Sequence, residues 1–142
     1  MTSIQQRDAQ SVLAAIDDLL PRLRETAQST EDRRKLLDEN VAALDEIGFF
    51  KLVQPEQWGG LQCDPTIFYE AVRRLASACG STGWVAGILG IHNWHLAQFD
   101  QAAQDEVWGD DASVRVSSSY APMGAGVVTE AGDGYVVNGT WQ

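Results

Sequence analysis

Apolar residues near the start of the chain return at helical intervals: Val12, Ile16, Leu19 and Leu23 are spaced by three and four, with charged residues between them. This period predicts an amphipathic helix over residues 4–23. Pro21 is expected to kink it or to open a new turn, because proline lacks the amide N–H that a helix interior uses. Ser29 followed by Asp32 resembles a capping box, and Leu37, Val41, Leu44 and Ile47 carry one apolar face as far as Gly48, a left-handed stop. Together they predict a second helix. Residues 49–60 pass from apolar residues to turn formers, predicting an extended connection that closes in a glycine-dependent turn at Gly59-Gly60.

Asp64 as N-cap and Pro65 at the first helical position open a third helix, with Phe68, Val72 and Leu75 on its core face and an end near Cys79-Gly80. Ser81 then caps a long, nearly uncharged helix through Trp84, Val85, Ile88, Leu89, His92 and Leu96. Apolarity on most of its sides predicts that this helix is central. Asp100 caps a last short helix, stopped at Gly109. From Asp111 the period changes to two: Val114 and Val116 alternate with Arg115 and Ser117. Val127-Val128 and Tyr135-Val136-Val137 then flank the turn Gly132-Asp133-Gly134. A further hairpin signal, Asn138-Gly139, is followed only by Thr140-Trp141-Gln142, so the sheet reads as unfinished and the sequence as truncated. The expected fold is mainly α with a following β region: a helical domain over residues 1–110 and the incomplete beginning of a β domain over 111–142.

With 142 residues and 44% hydrophobic content, the chain can bury a core of its own. Its formal net charge of -10 would repel a phosphate backbone, which argues against a nucleic-acid partner. No stretch approaches the roughly 18 apolar residues of a membrane span, and the first residues lack the basic and apolar regions of a secretory leader. Cys63 and Cys79 form no CxxC pair and leave no zinc set, so a reduced cytoplasmic compartment and no metal site are expected.

Three segments then resemble a known family: Leu44-Asp45-Glu46-Ile47-Gly48-Phe49-Phe50, Val53-Gln54-Pro55-Glu56-Gln57-Trp58-Gly59-Gly60, and the helix opened by Gly80-Ser81-Thr82-Gly83-Trp84. Together they are similar to the amino-terminal region of the acyl-CoA dehydrogenase fold, in which a helical domain leads into a β domain. The dehydrogenases usually carry Thr-Glu-Pro and then Gly-Ser-Asp on the strand that meets the flavin. Here the corresponding stretch is Ser117-Ser118-Ser119-Tyr120-Ala121-Pro122-Met123-Gly124-Ala125-Gly126. That departure, with Gly90-Ile91-His92-Asn93-Trp94-His95, resembles instead the oxygenase components of two-component flavin monooxygenases.

The resemblance implies a cytoplasmic aromatic hydroxylase. It would use reduced flavin, FMNH2 or FADH2, and molecular oxygen to add a hydroxyl ortho to the hydroxyl of a phenolic, secosteroid-derived substrate of sterol breakdown. A separate NADH-dependent reductase would supply the flavin, and the full-length protein would be a homotetramer. Trp84, Ser118, Ser119 and Tyr120 would contact the flavin, and His92 would face the phenol. An acyl-CoA dehydrogenase and a non-catalytic helical interaction module are the alternatives.

Electrophilic oxygen transfer to a phenol ring is faster when the phenol is deprotonated, so the chemistry asks for a base. Histidine, with an ordinary pKa of about 6.5, suits that task. The residue pattern alone leaves open a hydrogen-bonded core histidine. It also does not choose between His92 and His95, which stand about 60° apart around a helix. Trp84 and Tyr120 are equally compatible with core packing. Ser118 and Ser119, adjacent on an extended chain, point to opposite faces, so only one hydroxyl can meet a given ligand. Trp58, Trp94, Trp108 and Trp141 read as packing residues.

Overall fold

A computed structural model describes residues 3–118, 127–132 and 134–139, with side chains from Ala9 onward. Within them, six α-helices precede one β-hairpin: α1 (Ser3–Glu25), α2 (Ala27–Arg33), α3 (Asp38–Glu46), α4 (Pro65–Ala78), α5 (Gly80–Leu96), α6 (Gln101–Trp108), β1 (Val127–Ala131) and β2 (Gly134–Asn138). Two short 3-10 turns, Phe49–Lys51 and Glu56–Trp58, lie between α3 and α4. The mainly helical order with a following β element agrees with the expected fold class.

α1 runs through Pro21 as a single helix, with Ile16 and Leu23 buried on either side of the proline. The expected second helix is two. Ser29 lies inside α2 rather than capping it, and the chain breaks at Arg34, which adopts a left-handed φ of 50°. α3 then starts after Leu37 with Asp38 and Glu39 in its first turn, where carboxylates favour the positive end of the helix dipole. Its stop at Gly48 is as expected, with φ of 82°, a conformation that glycine adopts without a Cβ penalty. The connection predicted to be extended instead coils into the two 3-10 turns. It is clipped to the residues before α4 by Leu61 N donating to Lys51 O and Cys63 N donating to Leu52 O, both at 2.8 Å.

Asp64 caps α4 by accepting from Thr66 N at 2.8 Å, and Asp100 caps α6 by accepting from Ala103 N at 2.9 Å. The cap of α5 differs from expectation. Cys79, two residues before Ser81, takes the position and accepts from Thr82 N, leaving the Ser81 hydroxyl to donate to Glu31 of α2.

α4 packs between α1 and α5, and the first 3-10 turn lies against α5. The core holds Ile16, Leu23, Leu44, Phe49, Leu52, Phe68 and Leu75, with the Phe49 and Phe68 rings 5.5 Å apart. The close approach of α4 and α5 depends on a missing side chain. A Cβ at Gly83 would lie 2.6 Å from the Ala76 backbone. α5 is covered by α4, α2 and the first 3-10 turn but not all round: Trp84 is 72% exposed, and Val85 and Trp94 are also open.

Residues 111–118 form no strand despite the alternation of Val114 and Val116, since no ladder partner lies alongside them among the described residues. β1 and β2 pair antiparallel, Ala131 facing Gly134, and their valines are exposed on both faces. The signal at Asn138-Gly139 extends into residues outside those described, as does Trp141.

Candidate active site

Two predicted residues from distant parts of the chain meet. His92 is 5% exposed in the last third of α5, and its Nε2 lies 2.6 Å from the Ser118 hydroxyl. Its other ring nitrogen, Nδ1, lies 2.5 Å from the Ile88 carbonyl one turn earlier in the helix. A carbonyl oxygen can only accept, so Nδ1 carries a proton. In the neutral ring Nε2 is therefore the basic nitrogen, accepting from the Ser118 O–H. The helix backbone thus selects which nitrogen is available for proton transfer.

The pair opens onto a groove of about 750 Å³ whose walls include Leu96, Phe99, Ala103, Val107 and Val116, with Glu106 on its margin. The walls are apolar, and the His92–Ser118 pair provides a polar point among them. His95 lines the same groove, its ring 5.5 Å from that of His92 and edge-on to it.

Trp84 belongs to a neighbouring groove of about 480 Å³ between α4 and α5, walled by Phe68, Tyr69, Val72, Ile88 and Ile91. His95 lines this one too, so it stands where the two grooves meet. The structure therefore brings His92 and Ser118 together and sets Trp84 apart from them. Ser119 and Tyr120 lie outside the described residues. Among the described residues no three His, Cys, Asp or Glu side chains cluster as a metal site would require, and Cys63 and Cys79 are buried thiols. No helix among them is long and apolar enough to cross a membrane.

Other residues, which the sequence did not single out, shape the site. Asn93, next to His92, donates from Nδ2 to the Phe50 carbonyl at 2.7 Å and fixes α5 against the first 3-10 turn. Gln104 of α6 accepts at Oε1 from Trp58 Nε1 and from Gln57 Nε2, both at 3.1 Å, and donates to Phe99 O at 3.0 Å. It holds the helix that walls the larger groove. The one available signal was a glutamine on the buried side of a short helix, too common to point to this role.

The family model described as "Acyl-CoA dehydrogenase, N-terminal domain" matches residues 6–112. The chain belongs to this family. It is 72% identical over 141 residues to the flavin-dependent monooxygenase oxygenase subunit HsaA of Mycobacterium tuberculosis, covering 99% of this chain and 35% of that protein. The crystal structure of the M. tuberculosis HsaA monooxygenase superposes with a TM-score of 0.85 at 71% identity, over 94% of this chain and 35% of that one. The oxygenase component of an FADH(2)-dependent resorcinol hydroxylase from Rhizobium sp. is 39% identical over 130 residues, 91% of this chain and 30% of that protein. The chain thus spans about a third of the length of these relatives.

Proposed function

We propose that this chain carries the substrate-facing base of a reduced-flavin-dependent aromatic hydroxylase, the oxygenase component of a two-component system. The observation that carries the reading is the His92–Ser118 pair, a hydrogen-bonded, proton-handling point on a largely apolar groove that His95 and Glu106 also line. Its relatives support the reaction class, being named as flavin-dependent monooxygenase and FADH(2)-dependent hydroxylase components.

The residues present fit a flavin. A largely bare indole at Trp84 on the smaller apolar groove suits the face of a flat ring; Ser118 lies in the other groove, joined to the first at His95, so a single flavin that touches both would extend past His95. Trp84, Ser118, Ser119 and Tyr120 are its proposed contacts. Reduced flavin, FMNH2 or FADH2, supplies the activation of molecular oxygen when bound.

The remaining chemistry falls to side chains of this chain. His92 Nε2 takes the phenolic proton, directly or through the Ser118 hydroxyl, and makes the ring carbon ortho to the oxygen more electron-rich. The Ile88 carbonyl, already bound to Nδ1–H, stabilises the imidazolium that results. A substrate seated against the apolar walls formed by Leu96, Phe99 and Val107 would displace water there, so that oxygen reaches the ring rather than leaving as hydrogen peroxide. A groove of about 750 Å³ suits a neutral polycyclic phenol, such as a secosteroid from sterol breakdown. The rest of the proposed setting is the cytoplasm, an NADH-dependent flavin reductase as separate partner, and a homotetramer.

The test supplies the full-length protein with reduced flavin, oxygen and a neutral polycyclic phenol, and assays for the ortho-hydroxylated product. Formation of that catechol is expected. Reduction of a dye by an acyl-CoA thioester, with no catechol formed, would assign the chain to the dehydrogenases instead.

A further inference from the structure

Residues 111–118 have neither helix nor strand to hold them, yet side chains from three other parts of the fold grip them. Asp111 Oδ1 accepts from Ser113 N at 2.8 Å, and Val114 N closes a turn onto Asp111 O at 3.2 Å. The Ala112 carbonyl accepts from both Lys51 Nζ at 2.7 Å and Gln54 Nε2 at 2.9 Å. The Val114 carbonyl accepts from the indole N–H of buried Trp108 at 3.1 Å. Arg115 donates to Asp45 Oδ1 at 2.5 Å, and its guanidinium lies over the Phe50 ring, 4.7 Å from the centroid. Three residues later the chain delivers Ser118 to His92.

These tethers share a reference point with the histidine. Phe50, whose ring receives Arg115, gives its carbonyl to Asn93, the neighbour of His92 in α5. The strap and the base are thus fixed to one residue. The hold also draws on a partly desolvated cation: burial pushes the Lys51 ammonium below its ordinary value, against the pull of Asp111 and Asp45. From Arg115 to Ser118 the chain can span at most about 10 Å, so slack at Arg115 passes directly to the Ser118 hydroxyl.

We propose that the Arg115–Asp45 pair, together with Lys51 and Gln54 on the Ala112 carbonyl, is a positioning clasp that sets the Ser118 hydroxyl against His92 Nε2. This rests on reading His92 and Ser118 as the proton-handling pair. Arg115, Asp45, Lys51 and Gln54 are positioning residues acting through Ser118. The arginine makes two contacts of different kinds, an ion pair and a stack on an aromatic face. Lysine can keep the first but reproduces the second poorly.

The test uses the full-length protein with two readouts: nitrogen NMR of the His92 ring, and hydroxylated product formed per oxygen consumed. Arg115→Ala is expected to move the His92 Nε2 resonance out of its hydrogen-bonded position while Nδ1 stays in place. Product per oxygen should fall by about 10- to 100-fold, the loss expected for a displacement near 1 Å. Arg115→Lys should recover part of both effects. Asp45→Asn, nearly isosteric and on the surface, should change both in the same direction without threatening the fold. Arg73→Ala, which removes an ion pair on α4 away from the strap, should change neither. An Nε2 resonance unmoved in both Arg115→Ala and Asp45→Asn overturns the clasp. A resonance that moves while product per oxygen holds leaves the clasp standing and removes the pair from proton handling.

Discussion

Which nitrogen of the neutral His92 ring is basic is chosen by the helix it sits on. Because the Ile88 carbonyl occupies Nδ1, the lone pair of the neutral ring faces Ser118 and the groove. Ser118→Ala removes one hydrogen bond and should cost only about 1 kcal/mol of stability. Product per oxygen should fall nonetheless, by less than on loss of the histidine, and assays of the two variants in parallel check that order. His92 and Ser118 were each legible as candidates, through residue chemistry and family resemblance. Their contact was not, since 26 residues separate them and the strap between them is held by Lys51, Gln54 and Asp45, whose partners lie about 60 to 70 positions away in sequence. Trp84 was legible as an aromatic on an apolar helix, but its exposure was not, because only packing decides which side of α5 is covered.

Element boundaries were readable wherever the deciding contact is local. Asp64 and Asp100 cap amides two and three residues ahead, and Gly48 stops α3 by its own backbone. Ser29 and Ser81 misled for the opposite reason: the break after α2 falls at Arg34, which no glycine announces, and a cysteine takes the cap of α5. At the α4–α5 contact, Gly83→Ala should destabilise by about 1–3 kcal/mol, because the new methyl meets backbone that cannot give way. Gly80→Ala, where a Cβ meets nothing within 4 Å, should be near neutral in the same denaturant titration.

The Glu70 cluster on α4 should give the fold a pH dependence. Arg73 and then Arg74, by hydrogen bonding, hold the Glu70 carboxyl down to about 2, and Arg74 also pairs with Asp17 of α1 at 2.7 Å. A depressed folded-state pKa contributes stability that is complete above the unfolded value of 4.5 and lost as pH falls towards 2. Unfolding midpoints measured across that window should slope less steeply in Glu70→Gln. An unchanged slope would show that Glu70 is not the group responsible.

Among the described residues, a helical core carries two open apolar grooves, and the hairpin leaves its valines bare on both faces. The match to the acyl-CoA dehydrogenase N-terminal domain covers the helical part from residue 6 onward, and the hairpin lies beyond it. We propose the division at residues 110 and 111, with the strap as the first segment of the second unit. If Trp84 contacts the flavin ring, Trp84→Ala should weaken reduced-flavin affinity by roughly 0.5–1.5 kcal/mol, about tenfold at most, in an anaerobic titration. An unchanged affinity would assign Trp84 to packing against another surface.

The central claim is that His92 moves the phenolic proton, and His92→Ala in the full-length protein tests it most directly. The measurement follows hydroxylated product and hydrogen peroxide against oxygen consumed, with a melting temperature taken alongside. Oxygen consumption should continue while product formation falls by about 10²- to 10⁴-fold and hydrogen peroxide takes its place. Unchanged product per oxygen, with only a lower melting temperature, would contradict the account and make His92 a residue of the core.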